Sequence, residues 1–134
     1  MHLSHTNREL ELMLAGTKPL AVFARERVRG FGKSGALANQ DFDTHVARGA
    51  FVEQVLTIDR ALPDGRAVTI DYFFYTLPGE EWRVPAYRLL VELLSRGIWC
   101  ANLERLEGTL LGYSDDENDR HLAAKFPSHL MGSP

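Results

Sequence analysis

The chain has 134 residues, a single-domain length, and its 45% hydrophobic and 25% charged content is that of an ordinary globular protein, which argues against wholesale disorder. Fifteen Lys and Arg oppose eighteen Asp and Glu, a formal net charge of −3, so the basic excess of a general nucleic-acid coat and the strong acidity of a DNA mimic are both missing. A single cysteine excludes an internal disulfide and a Cys-rich zinc site.

No apolar run approaches the roughly 18 residues that span a bilayer. The opening MHLSHTNREL lacks the basic-then-apolar order of a signal peptide. A cytoplasmic protein with no membrane association is the expectation.

In chain order, Thr6 and Glu9 have capping-box spacing, and Leu10, Met13 and Leu14 follow on one helical stripe. Gly16 and Pro19 stop that helix. Leu20 to Phe23 reads as a short buried strand. From Arg25 to Gln40 the pattern dissolves into a long loop, with Gly30, Gly32, Ser34 and Gly35 among Arg25, Arg27, Arg29 and Lys33. Asp41 to Ala50 fits either a strand start or a turn of helix. Phe51–Arg60 and Arg66–Thr76 read as a β-hairpin joined by Leu62-Pro63-Asp64-Gly65. Val68, Ile70, Tyr72 and Phe74 share one face; Thr69, Asp71, Phe73 and Tyr75 share the other.

Pro85 suits the first turn of a main helix whose stripe is Tyr87, Leu90, Val91 and Leu94, widened by Leu89 and Leu93. Gly97 ends it. Ile98 to Ala101 reads as a brief pairing segment, and Leu103 to Tyr113 as a strand with Gly108 as a bulge. Ser114 and Glu117 form a second capping box, opening a helix to about Lys125. The expected organisation is one α+β domain over residues 1–125, a mainly antiparallel sheet built on a central hairpin with two to three helices on one face. A mobile tail is expected over 126–134.

Patterns that carry chemistry fail on spacing. In GFGKSG (residues 30–35) a P-loop needs glycine at position 27, which is arginine. Asp115, Asp116, Glu117 and Asp119 lack the alternation and glycine of a calcium loop and suit a helix N-terminus instead. The five histidines fall in no metal-binding spacing; His45, near Asp41 and Asp43, is the best placed of them. Cys100, beside Trp99, reads as a buried structural thiol. Glu80 and Glu81 read as solvated, and Glu104 and Glu107 would face apart in a strand. No catalytic residue, metal or cofactor is assigned.

Residues 1–60 carry a net +1, gathered in the loop, and residues 61–134 a net −4. Together with Phe73, Tyr75 and Trp82, this points to a non-catalytic protein-binding or inhibitory protein of the immunity, antitoxin or anti-defence type, occluding a larger partner. Its expected contact residues are Arg25, Arg27, Arg29, Lys33, Phe73, Tyr75 and Trp82. A second reading is a small enzyme or phosphate-ligand protein using the basic loop 25–40, with Lys33, Arg29 and His45 in its site. A third is a homodimeric structural subunit using the hairpin edge or the Phe73–Tyr75 face. Nucleic acid is not favoured as a partner.

Overall fold

A computed structural model describes residues 5, 7–28 and 40–127. Arg29, Lys33, Thr6 and the tail beyond residue 127 lie outside the described residues. The elements are α1 (Glu9–Leu14), β1 (Leu20–Val28), a 3-10 turn (Gln40–Phe42) leading into α2 (Asp43–Ala47), β2 (Val52–Ala61), β3 (Ala67–Thr76), α3 (Arg83–Ser95), α4 (Ala101–Leu110) and α5 (Asp115–Lys125). The fold is α+β. Its sheet is open and antiparallel, in the order β1-β3-β2.

The hairpin forms where turn chemistry permits it. The Leu62 amide donates to the Arg66 carbonyl at 2.8 Å, the Gly65 amide donates to the Leu62 carbonyl at 2.9 Å, and Gly65 takes φ +87°. Pairing then runs unbroken from Ala61↔Ala67 to Val52↔Thr76. On the other side of β3, β1 pairs from Leu20↔Thr76 to Val28↔Val68.

Alternation divides the core in two. Even-numbered Leu20, Val22, Leu56, Ile58, Tyr72 and Phe74 pack with Val84, Tyr87, Leu90 and Val91 of α3 and with Leu110, Leu111 and Tyr113. Helices α3 and α4 cover this face, and α5 packs against α4. Odd-numbered Ala21, Phe23, Phe73 and Tyr75 form a second cluster with Met13 of α1, Phe42, Val46 and Phe51. Tyr75 stacks on Phe42 with centroids 4.6 Å apart. The two short helices thus cover part of the opposite face.

Several expectations need correction. Residues 25–28 are not loop: they extend β1, because alternation continues past Phe23 and Arg25 faces Asp71 across the sheet. Leu103 to Leu110 is helix, not strand. Its buried positions Ala101, Glu104 and Gly108 recur at helical spacing, and Gly108 lies in a packed helix face and not in a bulge. Consequently Ile98 to Cys100 lead into α4 without strand pairing. Asp41 to Ala47 is helical. Helix α1 begins at Glu9 with Arg8 as an N-cap that makes no side-chain cap bond. Helix α3 begins at Arg83, which puts Pro85 third in its first turn, where its missing amide still costs no helical bond. The Ser114–Glu117 capping box is present in full, with bonds of 2.9 and 3.1 Å.

One close approach fixes how the start of β1 meets the end of α4. Gly112 has φ +92°, and a Cβ there would lie 2.5 Å from Pro19 Cδ. Gly112→Ala should therefore cost more than the roughly 1–2 kcal/mol of a left-handed alanine. Gly65→Ala, at a similar φ but with open space around it, should cost only that backbone term. Urea midpoints of the two variants check the difference.

Candidate interaction surface

Arg25 and Arg27, the described basic residues of the expected site, meet a carboxylate. Asp71, at the centre of β3 and only 3% exposed, accepts from Arg27 at both oxygens (2.8 and 2.9 Å), from Arg25 (2.8 and 3.2 Å) and from the Thr57 hydroxyl (3.0 Å). The Arg27 hydrogen bonds hold the Asp71 carboxyl well below the carboxylate range, against burial, and Arg25 and Thr57 add to that effect. Arg25 also lies over the Phe73 ring at 5.5 Å. All three strands are thereby tied at one point. Removing Asp71 would strand two arginines against a half-buried sheet face.

Phe73 and Tyr75 share the second core cluster, and Trp82 lies apart from them. Phe73 is half-buried beside Arg25, and Tyr75 is fully buried in the second core cluster, where no partner can touch it. Trp82 is 57% exposed, but it opens α3, the helix on the opposite face; its ring nitrogen donates to Glu80 and Arg83 lies over it.

Two further polar clusters were not legible in the sequence. Glu104 is buried and accepts from Trp99 Nε1 (2.8 Å) and Lys125 (2.9 Å), with His121 Nε2 at 2.7 Å. Burial pushes its pKa up, but bonds from Trp99, His121 and Lys125 outweigh burial and bring it to about 2. Glu107, one turn on, accepts from the Tyr87 hydroxyl at 2.8 Å.

Lys18, 2% exposed, donates to the Leu111 carbonyl at 2.7 Å and lies 2.9 Å from His5 Nδ1. His5 stacks on Tyr113 at 3.6 Å. Burial lowers the Lys18 pKa to about 8, with Glu9 and Glu117 opposing. A hollow of about 310 Å³ adjoins it, lined by His5, Arg8, Thr17 and Glu117 among others. The ammonium ties the start of β1 to the end of α4, beside the Pro19–Gly112 contact.

His45 is not oriented by Asp41 or Asp43. Its Nδ1 faces the Arg48 guanidinium at 2.8 and 3.0 Å. Cys100 is exposed, not buried, because a helix starts immediately after it. Among the described residues no three His, Cys, Asp or Glu side chains gather as a metal site would need, and no helix is long and apolar enough to cross a membrane.

What remains open on the surface is apolar. A groove of about 440 Å³ runs between β2 and α3, floored by Leu56 and Ile58 and walled by Pro85, Leu89 and Val91, with Arg88, Glu92 and Ser95 on its rim. Leu89 is 62% exposed, and Val55, on the other face of the same strand, is 53% exposed. Beside the groove runs the outer edge of β2. Because Leu62 and Arg66 close the hairpin as a hydrogen-bonded pair, even-numbered residues of β2 bond to β3. The amides and carbonyls of Glu53, Val55, Thr57 and Asp59 therefore point outward, and among the described residues no strand pairs with them. The sequence offered the hairpin edge as a homodimer surface but did not show the groove. Its only signals were the excess apolar width of α3 at Leu89 and the uncharged stretch Gln54–Ile58 within β2.

Comparison with protein-family models finds no match, and comparisons with curated proteins and with solved structures find none either.

Two outcomes follow from these clusters. Asp71→Ala should destabilise the fold by about 3 kcal/mol or more, the scale for breaking a buried ion pair, and thermal or urea unfolding reads this directly. For Lys18, the folded pKa lies below the ordinary 10.5, so the unfolded chain binds more protons between pH 8 and 10.5 and stability rises with pH there. Between pH 8 and 10 the gain should be roughly 2 kcal/mol. In Lys18→Met the rise should vanish, as urea titrations across that range would show.

Proposed function

We propose that this chain is a non-catalytic protein-binding protein that works by covering part of a larger partner, in the manner of an immunity, antitoxin or anti-defence protein. Its contact surface is the outer edge of β2 together with the α3 groove. The observation that carries the reading is the coincidence, along β2, of an edge that no strand pairs with among the described residues, a 440 Å³ apolar groove, and exposed apolar side chains on both faces, Leu89 and Val55. A strand laid along such an edge gains affinity from main-chain hydrogen bonds, and the groove beside it selects among side chains.

Absorbed polar groups support the same view. The Asp71 and Glu104 carboxylates each accept several internal hydrogen bonds, and Lys18 donates within the chain. Charges held this way stabilise the fold and are poorly placed for chemistry on a ligand. The small-ligand reading of residues 25–40 gives up two of its four cations, Arg25 and Arg27, to Asp71. A cytoplasmic setting goes with the proposal, since Cys100 is exposed and free, as is usual where thiols stay reduced.

The test is affinity capture from the protein's own cell extract, comparing wild type with a Val55→Lys/Leu89→Glu double variant. Both positions are exposed, so the variant should melt close to wild type. A protein retained by wild type should be lost at least about tenfold from the variant, equivalent to about 1.4 kcal/mol of binding. Equal retention by both would exclude this surface.

A further inference from the structure

We propose that the outer edge of β2 pairs with the same edge of a second copy of this chain, forming a continuous six-stranded antiparallel sheet about a two-fold axis that passes between the two Val55 residues. The inference rests on the reading that this surface binds polypeptide, and it names what covers the edge when no larger partner does.

The strand lacks the devices by which edges avoid one another. Val52–Ala61 contains no proline, glycine or lysine, its pairing with β3 has no bulge, and its charges, Glu53, Asp59 and Arg60, lie towards the two ends. An edge of this kind, ten residues long with Val55 exposed at its middle, is a template for its own copy.

Register can be deduced. Outward backbone groups belong to odd residues, so odd must face odd across the new ladder, and a two-fold perpendicular to the sheet keeps each face continuous. With the axis at Val55, the hydrogen-bonded pairs are Val55 with Val55 and Glu53 with Thr57. On the groove face Gln54 meets Leu56 and Val52 meets Ile58. No like charges are opposed, and apolar meets apolar at Val55 with Val55 and at Val52 with Ile58. Moving the axis to Leu56 opposes Glu53 to Asp59 twice. Moving it to Thr57 sets the exposed Val55 against Asp59. Of these three axes, the one at Val55 avoids both costs.

The groove is completed by the same operation. The two-fold brings the Leu56 residues of both copies within two positions of each other on the groove face and runs the two α3 helices antiparallel. Arg88 and Glu92, on the rim, then present complementary charge order to each other's copies. A larger partner and a second copy compete for one edge.

The experiment uses the full chain carrying Cys100→Ser, with either Val55→Cys or Thr57→Cys, under mild oxidation. Directly opposed hydrogen-bonded residues have Cα atoms about 5.5 Å apart, within disulfide reach. Val55→Cys should give a covalent dimer in high yield, and Thr57→Cys, which faces Glu53, should not. In parallel, wild type should sediment as a dimer that dissociates over roughly a hundredfold dilution, and Val55→Lys as a monomer that melts like wild type diluted to its monomeric state. Cross-linking through Thr57→Cys in place of Val55→Cys, or a wild type that stays monomeric, would overturn the proposal. The failures are separable: a monomer that still captures a partner, and loses it in the Val55→Lys/Leu89→Glu variant, refutes the pairing and leaves the binding reading standing. A dimer that captures nothing supports the pairing and removes the larger partner.

Discussion

Asp71 is the interaction on which the rest of the structure depends. It sits at the middle of the central strand, accepts from two arginines of β1 and the threonine of β2, and so pins three strands at one carboxylate. Arg25 and Thr57 are directly opposite it, and Arg27 lies two pairs along on the same face. Because the carboxylate is nearly buried, charge-assisted bonds there are strong, and losing Asp71 itself leaves two arginines without their counter-charge. The cluster holds β1 straight beyond the reach of α1 and α2, past the end of the aromatic cluster that covers the rest of that face. It also consumes the positive charge that would otherwise make residues 25 and 27 a surface patch.

With those arginines committed inward, the surface of β2 and α3 becomes the part of the molecule least explained by folding alone. Helix α3 buries one stripe, Val84, Tyr87, Leu90 and Val91, and leaves Leu89 outside it. Strand β2 is half-covered on the helix face and exposed along the other. A fold that only needed stability would gain by placing charge at Leu89 and Val55, since exposed apolar side chains beside an open edge invite association. Their presence is the physical basis for assigning the surface to binding.

Much of the architecture was legible in the residues. The hairpin followed from Pro63-Asp64-Gly65 between two β-rich runs, α3 from its stripe, and the start of α5 from Ser114 and Glu117. The errors have identifiable causes. Residues 25–28 read as loop because Arg-Glu-Arg looks solvent-directed until Asp71 is placed opposite it; that pairing is 46 residues away in sequence and no local pattern reveals it. Leu103–Leu110 read as strand because Gly108 and Thr109 lower helix propensity, whereas burial of Glu104 and Gly108 against neighbouring helices overrode it. The candidate surface was harder still. An edge is defined by what fails to pair with it, and Tyr75, the most aromatic-looking anchor, turned out to be core.

The central claim is that the outward backbone of β2 pairs with that of a second copy of this chain. Residue-resolved amide hydrogen exchange across a dilution series tests it most directly. The account predicts that Gln54, Leu56 and Ile58, bonded to β3, stay protected throughout, and that Glu53, Val55 and Thr57 are protected at high concentration and lose that protection on dilution. Rapid exchange at those three odd positions at every concentration would contradict it.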